Sequence, residues 1–326
     1  MVSPEISILS IGNANLDYLY YVDKHPPIDE QVEARAFVAR PGGSACNLAV
    51  AVARLGARAG FLGCVGRDAE GEIVLEHLDK EGVDISRVKR AEKSPTGRVV
   101  VVVDREGRRT MIAYRGANLE LSVNDVRAEK LEGYGHVHVS GHRVEIAREA
   151  LSAAKSLGAR TSYDPGTVNA RERRSGVLEL LEFVDVLFVN EVELWYLLGG
   201  EVRDLYSAFE ELGVECLVVK MGERGSSALK RGLHARAKAF STEVVDPTGA
   251  GDAFDGAFLV AYALGLELEE ALLTANAAAA IKISREGAQS SPRMEELLAF
   301  LRAEGLYALG EKLSRATEWD RSGYTP

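Results

Sequence analysis

Short β-rich apolar runs alternate along most of the chain with stretches that carry one helical stripe of apolar residues. Parallel strands need a long crossover connection, so this alternation favours strand–helix–strand units. The sequence therefore predicts an α/β fold with a mostly parallel sheet. The predicted strands are Ile6–Ile11, Ala59–Val65, His136–Ser140, Ala159–Asp164, Val184–Asn190 and Glu215–Lys220, and the predicted helices between them are Ala45–Leu55, Ala69–Glu81, Glu145–Leu157, Arg171–Glu182 and Asp204–Leu212.

Two segments break the alternation. Residues 96–116 hold two extended runs around a turn at Asp104–Gly107, which predicts a β-hairpin. Residues 22–38 show no helical stripe and include two consecutive prolines. We expect both to form a small β layer that acts as a lid. The expected lid is residues 13–40 and 95–117, and the expected body is residues 1–12, 41–94 and 118–326.

After residue 247 the pattern is helical. The predicted helices are Ala250–Leu264, Leu268–Ile283 and Arg293–Glu304. The tail after Leu306 is expected to lie on the surface or to fray.

The charge balance excludes some classes of partner. The chain has 49 acidic and 39 basic residues and a net charge of −10, which is unfavourable for binding nucleic acids or anionic membranes. No run approaches the length of about 18 apolar residues that a membrane span needs. The three cysteines are too scattered for a disulfide framework, and the N-terminus lacks the features of a signal peptide. We expect a cytoplasmic protein.

The strongest local signal is the segment DPTGAGDAF at residues 246–254, directly before a predicted helix. The small residues Gly249, Ala250 and Gly251 let a ligand approach the backbone closely, and the first N–H groups of a helix form an anion site. Asp252 lies within this cradle. An acidic residue there is often only a helix cap. Its coincidence with a phosphate cradle favours a general base that acts on an alcohol beside a nucleotide's terminal phosphate.

Two further glycine- and Asn-rich segments are candidates for binding sugar hydroxyls. PGGSACN at 41–47 exposes bare backbone at Gly42 and Gly43, and Asn47 offers both a donor and an acceptor. GNANLD at 12–17 follows the first strand, where ligands of open α/β sheets bind. The plainer alternatives are a glycine turn with a serine cap and an Asx turn.

The segment NEVE at 190–193 also follows a strand. Asn190 and Glu193 share one helical face, and oxygen ligands so placed suit Mg²⁺. The same residues fit a helix capping box, and the sequence favours neither interpretation.

Other phosphate and catalytic motifs are missing from the sequence. It contains no Gly-Lys dipeptide and hence no Walker A loop, and no GxGxxG, HExxH or GxSxG. His136 and His138 have no third ligand in view and are interpreted as structural. Phosphate handling is therefore assigned to residues 246–252.

Together these segments resemble the ribokinase (pfkB-type) carbohydrate kinase family. DPTGAGDAFDGAFLVAYALG (246–265) and PGGSACNLAVAVARLG (41–56) are similar to its two signatures, and GNANLD, GGSACN, the hairpin, NEVE, KMGERG (220–225) and DPTGAGD follow its order. The resemblance covers about residues 6–303. It implies a three-layer α/β/α ribokinase-like fold with a small β-sheet lid. It also implies ATP-dependent phosphorylation of a small sugar or sugar-like alcohol.

The resemblance implies roles for individual residues. Asp252 would be the catalytic base, with Gly249, Ala250 and Gly251 as the anion hole. Acceptor hydroxyls would be bound by Asn15, Asp17, Gly42, Gly43 and Asn47. The nucleotide would be bound by Asn190, Glu193, Lys220, Gly222, Gly225 and Asn276, with Asn190 and Glu193 ordering Mg²⁺ through water. A K⁺ ion beside the anion hole would be held by Asp246, Thr248 and Ser291.

Departures from the family pattern concern the acceptor. Position 44 is Ser, where ribokinases usually have Lys, and no acidic residue follows the His136–Ser140 strand. GGSAxN also resembles nucleoside kinases of the archaeal type. Tyr114 and Arg115 resemble acceptor contacts of 2-keto-3-deoxygluconate kinases, where an Arg could pair with a carboxylate. Both kinds of acceptor remain alternatives.

Two further expectations concern the oligomeric state and whether the protein is an enzyme. Exposed lid strands could pair between two chains, so we expect a homodimer formed through the lid. A non-catalytic sugar or nucleotide sensor on the same fold is the alternative from another class. A sensor has no need of Asp252, so its presence favours an enzyme.

Overall fold

The computed structural model describes residues 6–322, with side chains as far as residue 315. The strands are β1 (Ser7–Gly12), β2 (Asn15–Val22), β3 (Ala34–Gly42), β4 (Arg58–Leu62), β5 (Cys64–Val65), β6 (Lys89–Arg90), β7 (Gly97–Val103), β8 (Arg109–Tyr114), β9 (His136–Ser140), β10 (Arg160–Asp164), β11 (Val186–Asn190), β12 (Cys216–Lys220), β13 (Ser226–Lys230) and β14 (Leu233–Ala237). The helices are α1 (Ser44–Arg54), α2 (Ala69–Lys80), α3 (Val144–Ser156), α4 (Gly166–Glu172), α5 (Arg174–Leu180), α6 (Glu191–Leu197), α7 (Leu205–Leu212), α8 (Ala250–Ala263), α9 (Leu268–Ile283), α10 (Met294–Ala303) and α11 (Tyr307–Ser322).

The central sheet has eight strands in the order β14-β13-β12-β11-β10-β9-β1-β4. Pairing is parallel from β12 to β4, and β13 and β14 add antiparallel strands at one edge. Successive residues of a strand face opposite sides. Val186 and Phe188 accordingly pack in a core with α1, α8 and α9, whereas Leu187 and Val189 pack in a core with α3, α5 and α6. The predicted three-layer α/β/α arrangement is confirmed.

A second sheet has four strands in the order β3-β2-β7-β8. β7 and β8 form the predicted hairpin, and its turn ends at Gly107, where φ is +76°. β2 pairs in parallel with β7, so two distant segments of the chain form one small sheet. Val101 and Val103 of this sheet face a cleft above the central sheet.

The structure differs from the sequence prediction in three places. Of the two alternatives for the tail, fraying is wrong as far as residue 322, because the tail forms α11, which packs on α10 and buries Leu309 and Leu313. The helix predicted at Arg171–Glu182 is interrupted at Arg173, whose φ of −131° is not helical. The sequence prediction also omitted β13 and β14, which are short and lie at the sheet edge.

Two sequence expectations about the chain as a whole can be compared with the structure. Within residues 6–322, none of the helices has both the length and the apolar surface needed to cross a bilayer. The three cysteines are buried and unpaired.

Candidate active site

A cleft of about 500 Å³ lies at the carboxyl ends of the parallel strands, where open α/β sheets bind ligands. Strands β9 to β12 each end at its wall, with Ser140, Asp164, Asn190 and Lys220 as their last residues. The first turn of α8 also lines this cleft. The topology alone therefore collects polar side chains from distant parts of the chain into one cavity.

The start of α8 is shaped by Gly249, whose φ is +79°. A Cβ on this residue would lie 2.3 Å from the carbonyl oxygen of Ala288, so no larger side chain fits. The following turn contains Ala250 and Gly251, which both line the cleft. Because the first N–H groups of a helix have no acceptor within it, this turn presents donors and a positive dipole end to the cleft.

Asp252 lies in that first turn and lines the cleft. Asn47 donates a hydrogen bond from Nδ2 to Asp252 Oδ2 at 2.7 Å. Burial raises the pKa of Asp252 to about 6, although the hydrogen bond from Asn47 acts in the opposite direction. A carboxylate with such a pKa is ionised at neutral pH and can accept a proton there.

The two glycine- and Asn-rich segments meet beside Asp252. Gly43 has a φ of +101°, and a Cβ on it would lie 2.3 Å from the carbonyl oxygen of Asn13. A Cβ on Gly42 would lie 2.1 Å from Asp17 Oδ2, so both glycines are in close contact with the other segment. The thiol pKa of Cys46 is raised by burial and then by the charges of Asp17 and Asp252, which places both carboxylates near the start of α1. The sequence prediction had assigned these two segments to the same ligand.

Unsatisfied polar atoms mark the same place. Thirteen buried side-chain atoms of the described residues have no hydrogen-bond partner, and two of them are Asp17 Oδ1 and Asn47 Oδ1. Burial, and secondly the charge of Asp246, raise the pKa of Asp17 to about 7. The remaining candidate of this group, Asn15, accepts a hydrogen bond from Asn118 Nδ2 at 2.9 Å. Buried acceptors without partners are rare and suit a polyhydroxylated ligand.

Lys220 makes an ion-pair network that the sequence analysis missed. Its Nζ lies 2.7 Å from Asp164 Oδ2 and 3.0 Å from Asp255 Oδ1. Burial raises the pKa of Asp255 well above its usual range. At Asp164 burial is the largest effect and acts in the same direction, but the Lys220 charge and the hydrogen bonds with Lys220, Asp255 and Gly166 together lower the pKa. The only available signals were positional, since Asp164 ends a strand and Asp255 lies one helical turn after Asp252.

Asn190 and Glu193 form the capping box that was one of the two alternatives. The Asn190 backbone N–H donates to Glu193 Oε2 and the Glu193 N–H donates to Asn190 Oδ1, both at 2.9 Å. Glu193 Oε1 also accepts from Thr167. Burial and then the charge of Asp164 raise the pKa of Glu193. Both residues line the cleft as well. Because each Glu193 oxygen already accepts a hydrogen bond, the pair fits a Mg²⁺ held through water better than a directly bound one.

The cleft is also lined by Gly222, Gly225 and Asn276, which the resemblance assigns to nucleotide binding. Asn276 is buried and its Nδ2 donates to the carbonyl oxygens of Ala237 and Lys238. A Cβ at Gly225 would lie 2.0 Å from the Ala237 oxygen. This part of the cleft is therefore a tightly packed backbone wall with one fixed amide side chain.

Tyr114 and Arg115 do not lie at the acceptor position expected for them. Both are exposed, and neither lines this cleft or the smaller one beside it. Tyr114 is the last residue of β8, the edge strand of the small sheet, and pairs with Arg98. The predicted contact of Arg115 with a substrate carboxylate stays a prediction.

A second cleft, of about 270 Å³, separates the small sheet from the segment before α8. It contains Asp17 and also Asp246 and Thr248, two of the predicted K⁺ ligands. Arg109 lies 2.9 Å from Asp246 Oδ1 and donates to Thr248 Oγ1 at 2.6 Å. Ser291, the third predicted ligand, is buried, and its Oγ has no partner within the described residues. A carboxylate and a hydroxyl that already bind a guanidinium do not fit a bound K⁺ ion.

The two strand histidines have structural partners. His136 Nε2 and His138 Nδ1 both contact the Ser162 hydroxyl, at 2.7 and 2.8 Å. Burial lowers the pKa of His136 to about 4 and that of His138 to about 3. The described residues contain no cluster of His, Cys, Asp and Glu suited to a metal ion.

Known proteins resemble this chain over most of its length. The family profile described as pfkB family carbohydrate kinase matches residues 5–295. The ATP-dependent ribose-1-phosphate kinase of Halopiger xanaduensis is 32% identical over 297 residues, covering 91% of this chain and 98% of that protein. The structure of Arabidopsis thaliana ribokinase with ribose and ATP has a TM-score of 0.82 at 30% identity, covering 91% and 99% of the two chains. A structure from E. coli, described as a ribokinase II with ATP and Mg²⁺, has a TM-score of 0.81 at 28% identity, with the same coverage.

Proposed function

We propose that Asp252 and the first turn of α8 carry out the phosphoryl transfer in this chain, which belongs to the pfkB family of carbohydrate kinases. The chain is an ATP-dependent sugar kinase. The observation that carries the proposal is the position of Asp252. Its carboxyl group belongs to the first turn of α8, directly after Gly249, Ala250 and Gly251, and its pKa is raised.

The proposed reaction follows from these positions. Asp252 accepts the proton of an acceptor hydroxyl, whose oxygen attacks the γ-phosphorus of ATP, and ADP leaves from the opposite side. The N–H groups of Gly249, Ala250 and Gly251 stabilise the charge on the phosphoryl oxygens in transit, and for this the Ala250 N–H leaves the Pro247 carbonyl oxygen, to which it donates at 3.2 Å in this structure. Asn47 fixes the orientation of the Asp252 carboxylate through its 2.7 Å hydrogen bond.

The nucleotide is proposed to occupy the larger cleft. Gly222, Gly225 and Asn276 line it, as does Lys220. Asn190 and Glu193 would hold Mg²⁺ through water. When bound, Mg²⁺ neutralises charge on the β- and γ-phosphates. Support comes from the oxygen-rich wall at this point and from the E. coli relative, described with ATP and Mg²⁺.

The acceptor is proposed to be ribose or its 1-phosphate, bound by Asn15, Asp17, Gly42, Gly43 and Asn47. The names of the relatives support this choice, as do the unsatisfied oxygens of Asp17 and Asn47, which can accept hydrogen bonds from vicinal hydroxyls. Ser44 replaces the Lys usual in ribokinases, which leaves space and removes a charge beside the sugar.

The acceptor can be identified by measuring ADP release with ribose, ribose 1-phosphate, fructose, 2-keto-3-deoxygluconate, inosine and cytidine. We expect the highest kcat/KM for one of the two ribose compounds. A clear preference for inosine or cytidine would instead identify a nucleoside kinase, and a preference for 2-keto-3-deoxygluconate would support a role for Arg115. Binding without turnover of any acceptor would favour the sensor alternative.

The raised pKa of Asp252 predicts the pH profile. Below a pH of about 6 the carboxyl becomes protonated and cannot accept the hydroxyl proton, so kcat/KM should fall about tenfold per pH unit below that value and level off above it. The measurement is initial rate against pH with ATP and Mg²⁺ saturating. A profile that stays flat down to pH 4 would contradict the assignment of Asp252 as the base.

The small sheet is proposed to be a lid, residues 13–40 and 95–117, that also joins two protomers. Its edge strands β3 and β8 expose Phe37, Ile112 and Tyr114 on one face of the sheet, whereas Met111 is exposed on the other face. Edge strands with such surfaces readily pair with another chain. Closure of the lid would exclude water from the transfer.

The dimer is tested with Ile112→Lys. We expect it to shift the sedimentation coefficient from dimer to monomer, because a charge cannot be buried in the apolar contact. The matched control is Leu233→Lys, a similarly exposed residue at the far edge of the central sheet, which should leave the oligomeric state unchanged. A monomeric wild type at micromolar concentration would refute the dimer.

A further inference from the structure

The loop before α8 and the loop after α9 are joined at Asp246. Its backbone N–H donates to the carbonyl of Ile283, and its Oδ2 accepts from the Gly287 N–H, at 3.0 and 2.9 Å. Its Oδ1 accepts from the N–H of Thr248 at 2.9 Å. The geometry of residues 246–249, and hence of the anion hole, therefore depends on what surrounds Asp246.

Lys282 reaches this junction from the last turn of α9. Its side chain is completely buried, with a relative exposure of 0%, and Nζ donates to the carbonyl oxygen of Asp246 at 2.5 Å. A buried ammonium group is unfavourable unless oxygen atoms surround it. An ammonium is also close to K⁺ in size and charge, and it needs the same kind of oxygen environment.

Two arginines bind the other oxygens of the two loops. Arg109 of β8 contacts the Asp246 carboxylate and the Thr248 hydroxyl. Arg54 of α1 donates to the carbonyl oxygens of Gln289 and Ser291, both at 2.8 Å. The Asp246 carboxylate, the Thr248 hydroxyl and these carbonyl oxygens are thus bound by cations of the chain itself, whereas the Ser291 hydroxyl has no partner within the described residues.

We propose that Lys282, supported by Arg109, takes the place of a bound monovalent cation beside the anion hole, so that this kinase reaches its full rate without K⁺. The inference rests on the proposed anion hole at residues 249–251. Lys282 is a positioning residue in this role. It touches neither substrate, and it acts by holding the Asp246 carbonyl, and through it the loop that leads into α8.

The first test compares the wild-type enzyme in KCl, NaCl and choline chloride at equal ionic strength. We expect equal kcat and equal Tm in the three salts. A saturable activation by K⁺, or a rise in Tm specific to K⁺, would overturn the proposal. The Tm comparison needs no turnover, so it remains informative if the acceptor is not the one proposed.

The second test is Lys282→Met, which removes the ammonium and keeps most of the apolar stem. In choline chloride we expect kcat to fall by an order of magnitude or more with little change in KM for ATP, and K⁺ or NH₄⁺ to restore most of it. Rescue by a cation separates replacement of an ion from a merely structural role. The control is Lys230→Met. In the wild type, Lys230 Nζ contacts Tyr262 and Glu215, and Lys230 lines neither cleft. The activity of this variant should not become dependent on K⁺.

The outcomes distinguish this inference from the proposed function. Two results for Lys282→Met would contradict the proposal that Lys282 takes the place of a monovalent cation. One is wild-type activity in choline chloride, and the other is a loss of activity that no cation restores. A wild type that turns over only with K⁺ contradicts this inference alone. If Lys282→Met does not fold, the salt comparison on the wild type still decides. An enzyme inactive toward every acceptor contradicts the proposed function instead.

Discussion

Asp252→Asn is expected to lower kcat by about 10²–10⁴-fold while KM for ATP and for the sugar changes little, because the general base is lost and the shape of the site is kept. The amide still offers an oxygen to the Nδ2 of Asn47, so the hydrogen bond observed at 2.7 Å can persist. The amide cannot accept a proton. The fall of kcat/KM below a pH of about 6 should disappear with the carboxyl group that causes it.

Steady-state kinetics with purified protein at neutral pH measures the effect. Asp204→Asn is the matched control, since Asp204 caps α7 away from the cleft and Asn caps helices equally well. Its kcat should equal that of the wild type. Turnover of Asp252→Asn within a factor of about three of the wild type would remove Asp252 from the mechanism, since even a weak general base contributes more.

Lys220→Met is expected to cost about 3–5 kcal/mol of unfolding free energy, the usual penalty for leaving a buried charge without its partner. The side chain of Lys220 is 15% exposed, and that of Asp255 is 1% exposed. Without the ammonium, Asp164 and Asp255 face each other in the cleft wall. The loss should grow as the pH rises and shrink as it falls, because burial already raises the pKa of Asp255 and this carboxyl takes up a proton first.

Urea unfolding of the variant and the wild type measures this loss. The double variant Lys220→Met with Asp255→Asn should recover part of the stability, because only one carboxylate then remains. The control Lys230→Met breaks a surface pair with Glu215 and should cost no more than about 1 kcal/mol. An unchanged urea midpoint in Lys220→Met would show that the network adds nothing to stability.

Much of the fold follows from patterns within short segments. Alternating strand and helix patterns predict the layers, and the turn at Asp104–Gly107 predicts the hairpin that the structure contains. The site follows partly from topology. Since parallel strands end at one edge of the sheet, the polar residues after β1 and the start of α1 had to approach the glycine-bounded start of α8.

The parts of the site that could not be predicted depend on contacts between segments distant in the sequence, and such contacts leave no pattern within a short segment. Lys220 at the end of a strand gives no indication that Asp164 and Asp255 neutralise it. Lys282 lies in an apolar helix pattern and contacts a carbonyl rather than an acidic side chain, so charge pairing could not reveal it. The exposed position of Tyr114 and Arg115 depends on how the small sheet sits on the body, which no motif encodes.

The parallel pairing of β2 with β7 constrains how the chain acquires its structure. β2 emerges early during synthesis, but its neighbour β7 follows only after α1, β4 and α2. Such non-local pairings form slowly, because the intervening loop must close before the contacts compensate for it. Until β7 has been synthesised and pairs with β2, only β3 is hydrogen-bonded to β2. The other edge of β2 can then pair with strands of other newly synthesised chains. The strand that carries Asp17, the residue proposed to bind the sugar, is thus also where newly made chains are most exposed to misassembly.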